Sequence, residues 1–441
     1  MNQKIIKPLF SCILILIMQT FCSATPQTKN EEIDSFIKRC HQYRIFDGTL
    51  LVSQKGKVIY KKAFGLANRE WNVSNTLDSK YIIGSISKQF TAMLILQLAQ
   101  EGLLSIDDKI SIHLPDFPKD KGEKVSIHHL LTHSSGIPNN QYFENWYTEL
   151  WQHEYTLKSL LELFYLLDLE FEPGTRFAYS NTGYSICAAI IEAVTKKKFE
   201  DVLNEKILEP LDMNNSGLAK SYVFQSKMAE GYTYWNFNFS NPPYANPSSS
   251  LGAGSIYSTV EDLLKWNQAL RSFKLLDKEF TALMFIPHIP LRGEDSYGYG
   301  WVIRNSFLSG IGQSLKVVEH SGNQPGYSCL ICRIPEDDNL IVILSNIDHT
   351  DLRLIQNGLM NILYGQPATI KKPLSLYLAD SKNLSDLSSK LENFIKKRSE
   401  YDIRRDAVNG MGFKFITKGK MDLGLAVLEF NSSQFPNSPW V

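Results

Sequence analysis

Apolar positions along this chain change period several times, and each change marks an element. Residues 30–44 carry helical spacing. Gly48-Thr49-Leu50-Leu51-Val52-Ser53 reads as a strand, Gln54-Lys55-Gly56-Lys57 as a turn, and Val58 to Gly65 as the returning strand of a hairpin. Ala92 to Ala99, rich in Leu, Met and Ala, reads as a buried helix. Val125 to Pro138 reads as a short helix closed by Gly136 and Pro138.

Residues 139–170 read as aromatic and helical, with Tyr142, Trp146, Tyr147, Trp151 and Tyr155. Packing of a helical subdomain is the first expectation for these rings, and lining a substrate cleft the second. Phe171 to Tyr184 is a loop that enters a helix over Ser185 to Val194. Residues 231–255 are loop-rich, and Thr259 to Leu270 is a helix with Thr259 as its N-cap. From Tyr297 onward the pattern is strand-like: Gly298–Ile303, Ser314–His320, Gly326–Ile334 and Leu340–Ser345, then a helix over Leu352–Leu363. Two strands, then helices, then strands and a closing helix predict an α/β (α+β) fold, an antiparallel sheet flanked by helices with an inserted helical part.

Residues 370–441 differ from the rest. Leu384 to Lys397 and Met421 to Ser432 read as helices, with Val408 to Phe415 leading to a turn at Lys418-Gly419-Lys420. Gly412, Phe415, Leu428 and Pro436 fall where a tetratricopeptide-like helical pair would place them, with Gly424 where alanine is usual. One such pair is too little to stand alone. It is expected to dock on the preceding domain, as a packing appendage more than as a partner-binding element.

Lys+Arg and Asp+Glu balance at 46 each, and no basic block stands out, so nucleic acid is not an expected partner. The first residues change the picture more. Lys4 and Lys7 precede an apolar run from Leu9 to Met18, followed by Cys22-Ser23-Ala24. This is the pattern of an export signal cleaved after Ala24, and its apolar run is too short to span a membrane. Gln19-Thr20-Phe21 is a poor context for a lipid anchor on Cys22. The expected domains are a signal over 1–24, a main domain over 30–365 and the tail over 370–441, in a periplasmic or secreted protein. Of the cysteines, Cys40, Cys187, Cys329 and Cys332 follow the signal. Cys329 and Cys332 stand three apart in a strand, on opposite faces, so they should not bond to each other. Buried free thiols are the expectation, with a single distant bridge as the alternative.

The candidate chemistry sits in three stretches. In Gly84-Ser85-Ile86-Ser87-Lys88, a serine and a lysine three apart share a helix face. Ser85 in the first turn would have free backbone N–H groups and the positive dipole end beside a developing anion. Lys88 can take the hydroxyl proton if its pKa is lowered. Ser35-Phe36-Ile37-Lys38 has the same spacing, so the pattern is not specific alone. In Tyr179-Ser180-Asn181, a phenol that can relay protons and an amide that can orient a carbonyl can share one cleft. The third stretch is His320-Ser321-Gly322. His129 and His133 have the spacing of two metal ligands on one helix face. Leu130 follows His129 where a zinc protease carries Glu, and no third ligand is near, so packing or hydrogen bonding is expected.

Taken in order with Gly174 and Leu130-Leu131-Thr132-His133-Ser134-Ser135-Gly136, these stretches resemble the serine β-lactamase and penicillin-binding protein superfamily. The resemblance covers about residues 30–365 and is strongest to the class C β-lactamase-related hydrolases, which include D-alanyl-D-alanine carboxypeptidases, D-aminopeptidases and esterases. It implies that Ser85 is the acylated nucleophile, that Lys88 and Tyr179 form the proton-transfer pair, and that Asn181 orients Lys88 and the substrate amide. Either Lys88 or Tyr179 could be the base. His320-Ser321-Gly322 would edge the cleft, and the N–H groups of Ser85 and Asn323 would form the oxyanion hole. His320 departs from the lysine that many β-lactamases carry at that position, which argues against efficient antibiotic hydrolysis and fits the peptidase and esterase branches. The implied activity is cleavage of an ester or amide of a small peptide, ester or β-lactam-like substrate through an acyl-serine, with no cofactor and no metal. The alternative is a slow or inactive penicillin-binding-type protein that binds cell-wall peptides or a protein partner.

Overall fold

The computed structural model describes residues 26–235, 238–308 and 312–436. The expected export signal and its cleavage point after Ala24 lie outside them. Within these residues eight strands form one antiparallel sheet: β1 (Gly48–Gln54), β2 (Lys57–Phe64), β3 (Ile289–Pro290), β4 (Ser296–Tyr297), β5 (Val302–Leu308), β6 (Gln313–Gln324), β7 (Tyr327–Ile334) and β8 (Asn339–Ser345). Their order is β3-β4-β5-β6-β7-β8-β1-β2, so the first hairpin joins the sheet beside the last strand.

The middle of this sheet is buried on both faces. Every residue of β7 and β8 is buried. In β8, Leu340, Val342 and Leu344 enter one core while Ile341 and Ile343 enter another. That is the period-two alternation of a strand, filled on both sides by branched residues that suit a pleated surface. The register places Leu50 and Leu330 on either side of Ile343, a continuous apolar row across three strands. Cys329 and Cys332 also divide between the two cores, and the four described cysteines are free and buried.

Among the helices that fill the cores on the two sheet faces are α1 (Pro26–Gln42), α2 (Ser87–Gln100), α3 (Ile127–Leu131), α4 (Asn181–Thr195), α5 (Val260–Ser272) and α6 (Leu352–Leu363). Helices α1 and α6 supply Ile33, Phe36, Ile355 and Leu359 to the smaller core. The larger core holds α2 to α5 and the other sheet face. Thr259 caps α5 as the sequence predicts, its hydroxyl accepting from Asp262 N at 3.3 Å.

Residues 139–170 differ from the helical expectation. Beyond two 3-10 turns, Asn140–Tyr142 and Leu150–Gln152, only Leu157–Glu162 is α-helical. The backbone here closes short local turns, such as Leu150 N to Asn145 O at 3.1 Å, and is also pinned to another loop. Asn246 N donates to Trp151 O at 2.8 Å and Tyr155 N to Ser248 Oγ at 2.8 Å. Trp146 is buried in the larger core while Tyr147 is half exposed, so ring burial rather than helical periodicity sets the path.

The tail holds more than the expected pair. Helices α7 (Leu374–Ala379), α8 (Leu384–Lys396), α9 (Arg405–Thr417) and α10 (Met421–Gln434) share a separate apolar cluster that includes Leu378, Phe394, Met411 and Val427. The α9–α10 pair thus completes its core with α7 and α8. Arg404 Nη2 donates to Asp351 Oδ2 at 3.1 Å, linking the tail to the residue that caps α6. A crevice of about 370 Å³ lined by Tyr43, Tyr234, Leu376 and Arg404 lies alongside.

Ile343 is fully buried between Leu50 and Leu330. Ile343→Ala should therefore cost about 2–5 kcal/mol. Urea unfolding should show a lower midpoint with an unchanged slope.

Candidate active site

Ser85 lies in a 3-10 turn, Gly84–Ile86, that runs directly into α2. It thus precedes the α-helix by one tight turn, where the sequence expectation placed it inside the first turn. The helical start still gives it free N–H groups nearby. Ser87 is buried, and its hydroxyl accepts from Ile256 N at 3.1 Å, which fixes the start of α2. Ser85 is half-buried at the floor of a cleft of about 710 Å³.

Lys88 is fully buried. Its Nζ lies 3.0 Å from Ser85 Oγ, 2.8 Å from Asn181 Oδ1 and 2.8 Å from Ala253 O. All three partners are uncharged. Burial holds the Lys88 pKa well below its usual value of 10.5. The faces of Tyr179 at 4.8 Å and Tyr184 at 5.6 Å favour a cation, but such attraction is worth only about 2 kcal/mol when desolvated. Asn181 Oδ1 and Ala253 O can only accept, so they take two of the Lys88 N–H bonds. The third contact is to the Ser85 hydroxyl, where a neutral amine would present its lone pair.

Tyr179 lies two residues before Asn181, the first residue of α4, and the intervening backbone at Ser180 is extended. Ser180 between them is the N-cap, its hydroxyl accepting from Gly183 N at 3.3 Å. The cap explains how residues two apart both reach Lys88. Burial raises the Tyr179 phenol above its usual value of 10, with a hydrogen bond to Ser85 opposing the shift. Tyr179 is therefore a neutral phenol.

The third stretch lies on β6, as the sequence expectation has it. His320, Ser321 and Asn323 line the cleft with Ser85, Tyr179 and Asn181. Gly322 provides contact rather than a side chain: a Cβ there would lie 1.9 Å from Ile83 O and 3.0 Å from Ser85 N. Gly84, at φ +53, is its counterpart, since a Cβ there would lie 2.6 Å from Asn323 N. Backbone meets backbone, which brings the turn carrying Ser85 N against the strand carrying Asn323 N. His320 Nδ1 donates to Ser321 O at 2.6 Å, so Nε2 accepts from the Tyr297 hydroxyl at 3.0 Å. Burial, above all, holds its pKa down to about 3. His320 is thus neutral and supplies no cation to a substrate carboxylate.

His129 and His133 do not share a helix face, because α3 stops at Leu131 and His133 adopts φ +58. Among the described residues no cluster of His, Cys, Asp or Glu has the arrangement of a metal site. Sequence reasoning missed Ala253, whose contribution is a backbone carbonyl that its residue type cannot announce. It also missed Asn139, whose Oδ1 accepts from Asn181 N at 3.2 Å, and Tyr297. The Asn139-Asn140 pair after Pro138 is a polar break in an aromatic stretch and is the one available signal. Of the aromatic stretch, Trp146, Tyr147 and Trp151 line the cleft wall.

A protein-family model described as Beta-lactamase matches residues 33–362. Penicillin-binding protein 4* of Bacillus subtilis (strain 168) is 29% identical over 363 residues, covering 77% of this chain and 77% of its own length. The solved structure of the octameric penicillin-binding protein homologue from Pyrococcus abyssi is 31% identical, covers 77% of this chain and 78% of that one, and aligns with a TM-score of 0.68. That of the penicillin binding protein from Bacillus halodurans is 26% identical, covers 76% and 98%, and aligns with a TM-score of 0.64.

A lowered Lys88 pKa has a consequence for folding. The unfolded chain binds the proton up to about pH 10.5, while the folded chain releases it at lower pH. Stability therefore rises with pH between those two points, and the burial penalty is greatest below the folded-state value. Lys88→Met removes this term. Denaturation at a series of pH values should show the stability of wild type gaining on that of Lys88→Met as pH rises towards 10.5.

Proposed function

This chain belongs to the beta-lactamase family, and from that premise we propose that it is an exported serine hydrolase of the carboxypeptidase, D-aminopeptidase and esterase branch, cleaving an ester or amide through an acyl-Ser85 intermediate. The observation that carries the reading is the Lys88 Nζ–Ser85 Oγ contact of 3.0 Å, made by a lysine whose other two partners are carbonyl oxygens.

In the proposed reaction Ser85 Oγ attacks the substrate carbonyl carbon as its proton passes to Lys88 Nζ. The carbonyl oxygen becomes an oxyanion held by the N–H groups of Ser85 and Asn323, each worth about 3–4 kcal/mol. Lys88 returns the proton through the Tyr179 phenol to the nitrogen or oxygen of the leaving group, which departs. Water then attacks the acyl-enzyme, its proton taken by the same pair, and Ser85 Oγ is released protonated. Asn181 holds Lys88 and is placed to orient a substrate amide. A neutral His320 supports a branch in which histidine replaces the lysine, and argues against efficient β-lactam hydrolysis. The N-terminal signal pattern supports export after cleavage behind Ala24. Residues 370–441 serve as a packing appendage built on a tetratricopeptide-like helical pair.

Intact mass spectrometry after exposure to a fluorophosphonate tests the nucleophile. Wild type should gain one phosphonyl adduct, and Ser85→Ala none. An unmodified, folded wild type would move the assignment to a binding protein that does not turn over.

A further inference from the structure

His133 takes no step in the reaction proposed above, yet it is held against that site under unfavourable conditions. It is 1% exposed and adopts the left-handed backbone at φ +58, a conformation that a bulky side chain disfavours. Its Nδ1 accepts from Ser180 N at 3.1 Å, so the proton of the neutral ring sits on Nε2. That Nε2–H is buried without a hydrogen-bond partner. Simple filling of a core would require neither the strained backbone nor the orphaned donor.

What the arrangement provides is a grip on Tyr179 from three directions. Ala178 N donates to His133 O at 2.8 Å, and Ser180 N donates to His133 Nδ1, so one residue holds the backbone on both sides of Tyr179. The His133 ring also lies against the Tyr179 ring, with centroids 4.2 Å apart and planes at 34°. Tyr297, 4.7 Å from the same ring, ties this cluster to His320 through its hydroxyl. Position and tilt of the Tyr179 phenol are thereby set by His133.

We propose that His133 is a positioning residue that fixes the Tyr179 hydroxyl in proton-transfer geometry between Ser85 and the leaving group. This rests on the role given to Tyr179 above. Asparagine is the informative replacement: it tolerates the left-handed backbone, and its Oδ1 can accept the Ser180 N–H. Phenylalanine keeps an aromatic ring beside Tyr179 but removes the acceptor.

The test measures kcat and KM for a p-nitrophenyl ester in His133→Ala, His133→Phe and His133→Asn, each in wild-type and Tyr179→Phe backgrounds, with folding checked by circular dichroism. His133→Ala and His133→Phe should lower kcat about tenfold or more with KM little changed, and His133→Asn should recover most of the loss. In the Tyr179→Phe background the same changes should add almost nothing, because the group being positioned is gone. An equal loss in both backgrounds would overturn the proposal and make His133 a general structural residue. If the Ala and Phe variants fail to fold, His133→Asn decides: near-wild-type kcat, or a loss that disappears in the Tyr179→Phe background, supports the proposal, and an equal loss in both backgrounds overturns it. A Tyr179→Phe enzyme with undiminished kcat would remove the role of Tyr179 itself, and the proposal with it, which separates that failure from a failure confined to His133.

Discussion

Everything at this site follows from a lysine buried without a counter-ion. Taking an ammonium out of water costs several kcal/mol unless a charge partner or a full set of hydrogen bonds compensates. Lys88 has three uncharged partners, two of them carbonyl oxygens that only accept. Burial shifts the balance towards the neutral amine, whose two N–H groups suit those oxygens and whose lone pair would face Ser85. In the proposed reaction that is the form a general base needs.

The architecture can be understood as the means of assembling those three contacts. Ser85 and Lys88 come from the start of α2, Asn181 from the capped start of α4, and Ala253 O from a loop whose Gly252 O is held by Thr91 at 2.6 Å. The sheet brings β6 against the Ser85 turn, and only glycines at 84 and 322 allow that approach. A sheet buried on both faces resists the small shifts that would open the contact. The tail has its own apolar cluster and meets the main domain at Asp351 through Arg404.

Local signals made much of this legible in the sequence. The β1–β2 hairpin, the Thr259 cap and the closing helix at Leu352–Leu363 are set by short-range chemistry, and each was predictable from it. Ser85, Lys88, Tyr179, Asn181 and His320 stand in three stretches whose order is informative where each alone is not. Aromatic spacing in residues 139–170 looks helical, whereas the backbone forms short separate turns pinned to a loop about a hundred residues away, at Asn246 and Ser248. Ala253 was invisible because a carbonyl oxygen belongs to every residue. His133 was visible as a histidine, but its function as a brace depends on a backbone angle and on neighbours that spacing does not reveal.

The claim that Lys88 is a neutral base is tested most directly by watching its amine titrate. The protein would carry lysine labelled at Cε and Nζ, with the Lys88 resonance identified by its loss in Lys88→Arg. The account predicts a chemical shift that titrates with a midpoint well below 10.5, and neutral Nζ over the pH range in which Ser85 is acylated. A Lys88 resonance that stays that of an ammonium up to about pH 10 would contradict it and pass the base role to another group.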